Sequence, residues 1–318
     1  MKIVYLGSGG FGLEVLEAIR KSGDELAVIV TQAPRPAGRG KKVCSTVVAQ
    51  WARNNAPGVD LVETEDVNHP AVVEKIAGYH PDVLVVIAFG QKLGAALIAV
   101  PSSESVNVHA SLLPKYRGAA PINRAIVNGD RYTGISIITL AEKMDAGKIL
   151  SQSKIEILPD ETAEQLEKRL CVLAASVLTD TLKRLSEGSV TYTEQDASGV
   201  SYAPRLKKSD GFIDFSEPAV VIRRKILGFW PWPGASAMYV NKEAQKAERV
   251  TFAAAVVVDA KEHHQYQPGQ FDEELNVVCG EGVLEIKMLK PAGSSLMDFR
   301  SFVNGRDVRP ADFFKKIE

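Results

Sequence analysis

The sequence predicts an α/β chain in two parts: a doubly wound, mainly parallel sheet followed by a small β-barrel. Three observations carry this. Short, almost wholly apolar runs, "KIVYLG", "LAVIVT" and "DVLVVIAFG", alternate with helix-like stretches through the first half. Beyond residue 208 the chain changes character, to short strand-like runs separated by turn residues. Its 318 residues exceed what one core usually organises. The expected boundaries are 1–188 for the first domain, 189–207 for a linker and 208–318 for the second domain.

The elements follow in order. "KIVYLG" is a buried strand, succeeded by a glycine turn and a helix to about Lys21. "LAVIVT" is the second strand and ends in the Pro/Gly/basic loop "QAPRPAGRGKK". "STVVAQWARN" and "PAVVEKIAGY" read as helices. "DVLVVIAFG" is the most apolar run, as a central parallel strand covered on both faces requires. "SVNVHA" is a further strand, and "GISIITLAEKMDAGKILSQSKIEI" is two strands around a turn. "TAEQLEKRLCVLAASVLTDTLKRLSEG" is a long amphipathic helix ending at Gly188. The polar stretch "SVTYTEQDASGVSYAPRLKKSDG" has no helical period and reads as the interdomain linker. A helix, "AVVIRRKILGF", then precedes the barrel strands "ASAMYV", "RVTFAAAVVV", "LNVVCG" and "VLEIKMLK".

Composition narrows the function classes. With 45% hydrophobic and 24% charged residues the chain can build cores and is not disordered. A formal charge of -1 carries no global nucleic-acid signature, so any such contact depends on a local basic patch. Cys44, Cys171 and Cys279 lack paired spacing, which indicates neither a disulfide framework nor a zinc site. No signal-peptide layout or membrane-length apolar run is present, so a cytoplasmic protein without a membrane partner is expected.

Four motifs bear chemistry. "GSGGFG" matches the dinucleotide fingerprint at Gly7, Gly9 and Gly12, after a strand and before a helix. The next strand, however, ends in Thr31 and Gln32, where a ribose-binding acid would stand. The motif is therefore read as an architectural strand–helix turn, with no NAD site. Asn107 and His109 are two residues apart on a strand and leave the same face. Their Cβ atoms lie roughly 6–7 Å apart, enough to hold one reacting carbonyl between an amide donor and an imidazole. Acyl transfer to an amine needs a donor where oxyanion charge develops and an acceptor for the amine's proton. The same two residues could equally be a backbone-bonded amide and a satisfied core histidine.

Asp145, in "KMDAGKIL", could orient that imidazole, although Asp before Ala-Gly is also ordinary turn chemistry. Arg35, Arg39, Lys41 and Lys42 crowd a loop with two glycines, either a solvated turn or a finger for phosphates. His69, His80, His263 and His264 read as surface residues.

Taken together, "TQAPRPAGRGKK", "NVHASLLPKYRGAAPINRAI", "MDAGKIL", "YAPRLKKSDGFIDFS" and "FWPWPGA" resemble the methionyl-tRNA formyltransferase family in order and spacing, over nearly the whole chain. The resemblance implies a Rossmann-like formyltransferase domain and a C-terminal OB-like domain that helps hold tRNA. It implies 10-formyltetrahydrofolate as co-substrate, initiator methionyl-tRNA as partner, no metal, and a monomer. Carried over by position, Asn107, His109 and Asp145 would be catalytic. Ser111, Leu112, Leu113 and Pro114 would line the folate, and Arg35, Arg39, Lys41 and Lys42 would meet the tRNA acceptor end. In this reading Asn107 donates to the tetrahedral oxygen, while His109 either takes the amine's proton or, as imidazolium, stabilises the oxyanion. The chain departs from the family at Ala33-Pro34 before the basic loop, at Leu93-Gly94, and at Ser294-Ser295 after Gly293. The rival readings are a formyltransferase for a sugar nucleotide or small amine, a catalytically silent nucleic-acid-binding protein, and an NAD oxidoreductase.

Overall fold

The computed structural model describes residues 1–318 apart from 38, 39, 41, 242, 244, 245, 259–264 and 311. Two compact units result. The first comprises Met1–Pro121, Tyr132–Glu156 and Glu167–Ala203, and the second Ile122–Arg131, Ile157–Leu166 and Pro204–Glu318.

The chain begins with β1 (Lys2–Gly7), α1 (Leu13–Lys21) and β2 (Glu25–Gln32), followed by two short strands, β3 (Arg35–Ala37) and β4 (Lys42–Cys44). Next come α2 (Val47–Asn55), β5 (Asp60–Thr64), α3 (Pro70–Ala77), β6 (Val83–Ile87) and α4 (Ala95–Ile98). β7 (Glu104–His109), β8 (Arg117–Gly118) and α5 (Pro121–Asn128) lead to β9 (Tyr132–Thr139), β10 (Ile149–Glu156), α6 (Ala163–Ser186) and β11 (Tyr202–Ala203).

Among the described residues the first unit holds a seven-stranded sheet in the order β10-β9-β7-β6-β1-β2-β5. The strands from β5 to β7 pair in parallel, while β9 and β10 run antiparallel at one edge. β6 is buried along its whole length, as its uninterrupted apolar run requires. Valines and leucines of β1, β2 and β6 pack with Ile76 and Leu97 into one apolar layer. Thr46 caps α2 by accepting the Ala49 N–H at 3.0 Å. α6 ends before Gly188, whose φ of 65° suits a residue without Cβ.

The structure adds two features to the sequence reading. β5 is an edge strand with only Val62 and Thr64 buried, too short and polar to register as an apolar run. The basic stretch after β2, read as an open loop, begins and ends as an antiparallel ribbon in which Arg35 pairs with Cys44 and Ala37 with Lys42. Pro36 sits in that ribbon at little cost, because a two-stranded edge leaves one side of each strand unpaired.

The second unit contains α7 (Ala219–Phe229), β12 (Ala235–Asn241), β13 (Lys246–Val258), β14 (Val277–Val278), β15 (Val283–Pro291), β16 (Met297–Asp298), α8 (Phe299–Arg306) and β17 (Phe313–Lys315). Among the described residues the sheet order is β14-β15-β13-β12-β17, with β16 beside β15. The bridges Phe271–Val277 and Gln270–Phe313 join its two ends into a nearly closed antiparallel barrel. Phe314 fills the middle, with ring centroids 5.0 Å from Phe252 and 5.1 Å from Phe271. α5 belongs to this unit: Asn123 Nδ2 donates to the Gly228 carbonyl at 2.7 Å. A Cβ on Gly228 would lie 2.6 Å from Val127 Cγ2, so the close helix approach requires glycine there.

Candidate active site

The site is built on the carboxyl end of β7. Strand periodicity sends Val106 and Val108 to one face and Asn107 and His109 to the other. In the register with β9, His109 lies opposite Ser136 and Asn107 opposite Ile138. His109 is buried, 6% exposed, yet it is not a simple core histidine. Its Nε2 is 2.9 Å from the Tyr116 carbonyl, and because a carbonyl only accepts, Nε2 carries the hydrogen. Nδ1 then faces Asp145 Oδ2 at 3.6 Å.

Asp145 gathers the other groups. Its Oδ2 accepts the Gly118 N–H at 2.7 Å, and its Oδ1 lies 3.4 Å from Asn107 Nδ2. A single carboxylate thus faces the imidazole, the amide and a backbone donor. Asp145 itself adopts φ 53°, in the left-handed region that Asp tolerates better than most residues. Two glycines permit the arrangement. A Cβ on Gly147 would lie 1.8 Å from the Thr139 carbonyl oxygen, and one on Gly118 would lie 2.7 Å from that of Ala203. The glycines of "MDAGK" and "YRGAA" are therefore packing requirements.

Residues 111–114 follow β7 and open a tight turn, in which the Lys115 N–H donates to the Leu112 carbonyl at 3.2 Å. Ser111 is fully buried and its Oγ donates to the Lys115 carbonyl at 2.6 Å. Ser136 Oγ donates to the Ser111 carbonyl at 2.6 Å and accepts the Leu113 N–H at 3.1 Å. Gln152 Nε2 donates to the Leu113 carbonyl at 2.7 Å. Leu113 is buried, while Leu112 and Pro114 remain half-buried.

Three residues that sequence reasoning did not single out hold these parts. Ser136 is a buried hydroxyl among the isoleucines of β9, an oddity visible in "GISIIT". Gln152 offers a weaker signal, in the alternating polar edge strand β10. Gln195, in the stretch read as linker, gave none. Its Oε1 accepts from Arg117 Nη2 at 2.7 Å and Nε at 3.2 Å. Its Nε2 donates to the carbonyls of Asp145 at 2.8 Å and Gly147 at 2.7 Å.

The remaining motif residues lie elsewhere. Gly7 and Gly12 make room for the ring of the fully buried Tyr5, whose Oη would be 2.5 Å and 2.0 Å from their Cβ atoms. That hydroxyl donates to the Gly12 carbonyl at 3.1 Å, and burial pushes the phenol far above its usual pKa. Gln32 spends its Nε2 on the Phe89 carbonyl at 2.7 Å, and Thr31 meets Ser8 at 3.2 Å. Arg35 and Lys42 are exposed on the ribbon, and Arg39 and Lys41 lie outside the described residues. His69 and His80 are exposed, and His263 and His264 also lie outside the described residues. Among the described residues no group of three or more His, Cys, Asp or Glu side chains could hold a metal. No described helix is long and apolar enough to cross a membrane.

Both parts of the chain are similar to known proteins. Residues 1–182 match the formyl transferase family, and residues 205–307 match the formyl transferase C-terminal domain. The methionyl-tRNA formyltransferase of Agathobacter rectalis is 34% identical over 318 residues, covering 99% of each chain. That of Caldanaerobacter subterraneus subsp. tengcongensis is 36% identical over 322 residues, covering 99% of this chain and 100% of the relative. The solved sugar 3N-formyl transferase WlaRD, determined with dTDP and 5-N-formyl-THF, superimposes with a TM-score of 0.64 at 16% identity, over 93% of this chain and 99% of that one. At that identity the likeness speaks for the fold alone.

Proposed function

The chain belongs to the methionyl-tRNA formyltransferase family, and from that premise we propose that Asn107, His109 and Asp145 carry the transfer of a formyl group from 10-formyltetrahydrofolate. The acceptor is the α-amine of methionine on initiator tRNA, and the product serves translation initiation. The amine's lone pair attacks the formyl carbon, and the carbonyl electron pair moves onto oxygen. Asn107 Nδ2 has two hydrogens, and the one not aimed at Asp145 is free to meet that oxygen. In the base role, Nδ1 of His109 takes the proton the amine gives up. The imidazolium so formed has an acceptor for each N–H, the Tyr116 carbonyl and the Asp145 carboxylate. Collapse breaks the bond from the formyl carbon to the folate nitrogen, which receives a proton in turn. The imidazolium role fits as well, because an acceptor already faces each ring nitrogen. The observation that carries the reading is the shared carboxylate, which faces His109 and Asn107 at once.

In this proposal residues 111–114 wall the folate through Leu112 and Pro114, because the polar backbone groups of Ser111 and Leu113 are already spent on Ser136 and Gln152. Arg35, Arg39, Lys41 and Lys42 are assigned to the tRNA acceptor end. Residues 1–188 are assigned to catalysis, and 208–318, joined through 189–207, to holding tRNA. The test is transfer of labelled formyl from the folate to methionyl-tRNA, with free methionine and a sugar-nucleotide amine as competing acceptors. Transfer to methionyl-tRNA is expected. Preferential labelling of the sugar amine would replace the acceptor in this reading.

A further inference from the structure

We infer that Gln195 is a positioning residue of the site, fixing the backbone turn that carries Asp145 and, through it, the carboxylate facing His109. The inference rests on the reading of Asn107, His109 and Asp145 as the catalytic trio. Asp145 holds a left-handed backbone, which persists when neighbouring groups fix it. Gln195 Nε2 supplies two such bonds, to the carbonyls of Asp145 and Gly147 on either side of Ala146. Its Oε1 takes Arg117, the residue before Gly118, whose N–H holds the carboxylate. One carboxamide therefore ties together the backbone of Asp145 and the strand that supplies its hydrogen-bond donor.

The chemistry demands an amide. Two carbonyls need donors and a guanidinium needs an acceptor, which a glutamine meets in one orientation only. A glutamate would keep the arginine but set its second oxygen against two carbonyl oxygens. The main chain pins Gln195 on both sides. Thr193 exchanges both backbone hydrogen bonds with Ile149, and β11 pairs with β8 at Tyr202 and Ala203.

The test measures turnover at saturating folate and methionyl-tRNA, both KM values, and thermal unfolding for five proteins. These are the parent, Gln195→Ala, Gln195→Glu, Asp145→Asn, and Gln195→Ala combined with Asp145→Asn. Displacing a reacting group by about 1 Å costs on the order of 100-fold. Gln195→Ala and Gln195→Glu should therefore each lose about 10- to 100-fold in turnover, with KM values within about threefold. In the Asp145→Asn background the Ala change should cost less than about threefold more, since Gln195 acts through that carboxylate. Parent-like turnover in Gln195→Ala or Gln195→Glu, or fully additive losses in the double variant, would overturn the inference. So would a failure of both single variants to fold, which would make Gln195 a residue of the fold rather than of the site. A severe Asp145→Asn beside a silent Gln195→Ala defeats this inference alone, whereas a parent-like Asp145→Asn defeats the reading of the trio.

Discussion

Replacing Asp145 by Asn removes the charge of the site while keeping its backbone turn. Asn accepts the left-handed φ of 53° at least as readily as Asp, so the turn should survive. The Gly118 N–H can still find an amide oxygen at Oδ2. The substituted NH2 then faces Asn107 Nδ2, donor against donor across 3.4 Å, and Asn107 must rotate its own amide away. That rotation turns an oxygen toward the place where oxyanion charge develops. The loss in stability should be no more than about 1 kcal/mol, the net worth of one hydrogen bond.

The rate penalty is larger. A full imidazolium 3.6 Å from a carboxylate gains about 4–5 kcal/mol at an effective dielectric of about 20. If roughly half the proton has moved in the transition state, about 2 kcal/mol is realised, and if all of it has, the full amount. The expected loss in turnover therefore runs from about 30-fold to a few thousand-fold, roughly 1.5 to 3.5 decades. The assay is the initial rate of labelled formyl transfer at saturating substrates, with the melting temperature followed in parallel. A folded Asp145→Asn protein within about threefold of the parent would refute the placement of Asp145 beside a charged His109.

Three further outcomes follow from other parts of the molecule. Gly12→Ala should destabilise the chain markedly, and Tyr5→Phe should partly restore it by removing the Oη that meets the new Cβ, with thermal melts of the single and double variants giving the coupling. The combined Arg39→Ala and Lys42→Ala variant should bind methionyl-tRNA more weakly and lower the salt slope of log affinity by about 1–2, with folate affinity unchanged. Titrations at two salt concentrations read this, and an unaltered slope would leave the ribbon a solvated turn. Hydrogen bonds from Ser216, with Lys316 nearby, hold the Asp214 carboxyl down to about 2. A lowered folded-state pKa gives stability that is present above about pH 4 and lost as pH falls toward 2, so unfolding scans of Asp214→Asn should show a slightly flatter acid limb, the effect kept small by the 38% exposure of that side chain.

Much of this was legible because the informative residues were of the wrong type for their surroundings. An amide and an imidazole two apart, alternating with Val106 and Val108 on one strand, marked Asn107 and His109, and "DAG" marked the turn of Asp145. β1, β2 and β6 announced themselves as apolar runs. β5 did not, because an edge strand covered on one side needs only two buried residues. β3 and β4 were hidden by prolines and glycines that forbid regular strands in most settings. The Tyr116 carbonyl and the Gly118 N–H belong to the backbone, which has no signature in a residue's identity. Gln195 lies 50 positions beyond the aspartate it holds, in a polar stretch where one more glutamine is unremarked.

The glycine motif shows why the same fold can place its chemistry elsewhere. In a doubly wound sheet the expected crevice lies where the strand order reverses, between β1 and β6. Here the polar groups at those tips are spent on one another, through Ser8, Thr31, Gln32 and the Phe89 carbonyl, and the Tyr5 ring occupies the space that Gly7 and Gly12 leave. The proposed trio stands instead around β7, where parallel pairing gives way to antiparallel. That change of direction is what assembles it. A parallel neighbour would need a long crossover before returning, whereas β9 turns directly into β10. The turn between them brings Asp145 back over β7, within reach of both side chains that face it. Nucleotide-like sequence at one point of the sheet and the proposed catalytic geometry at another are thus compatible, because the glycines answer to Tyr5 and the carboxylate answers to the reversal at β9.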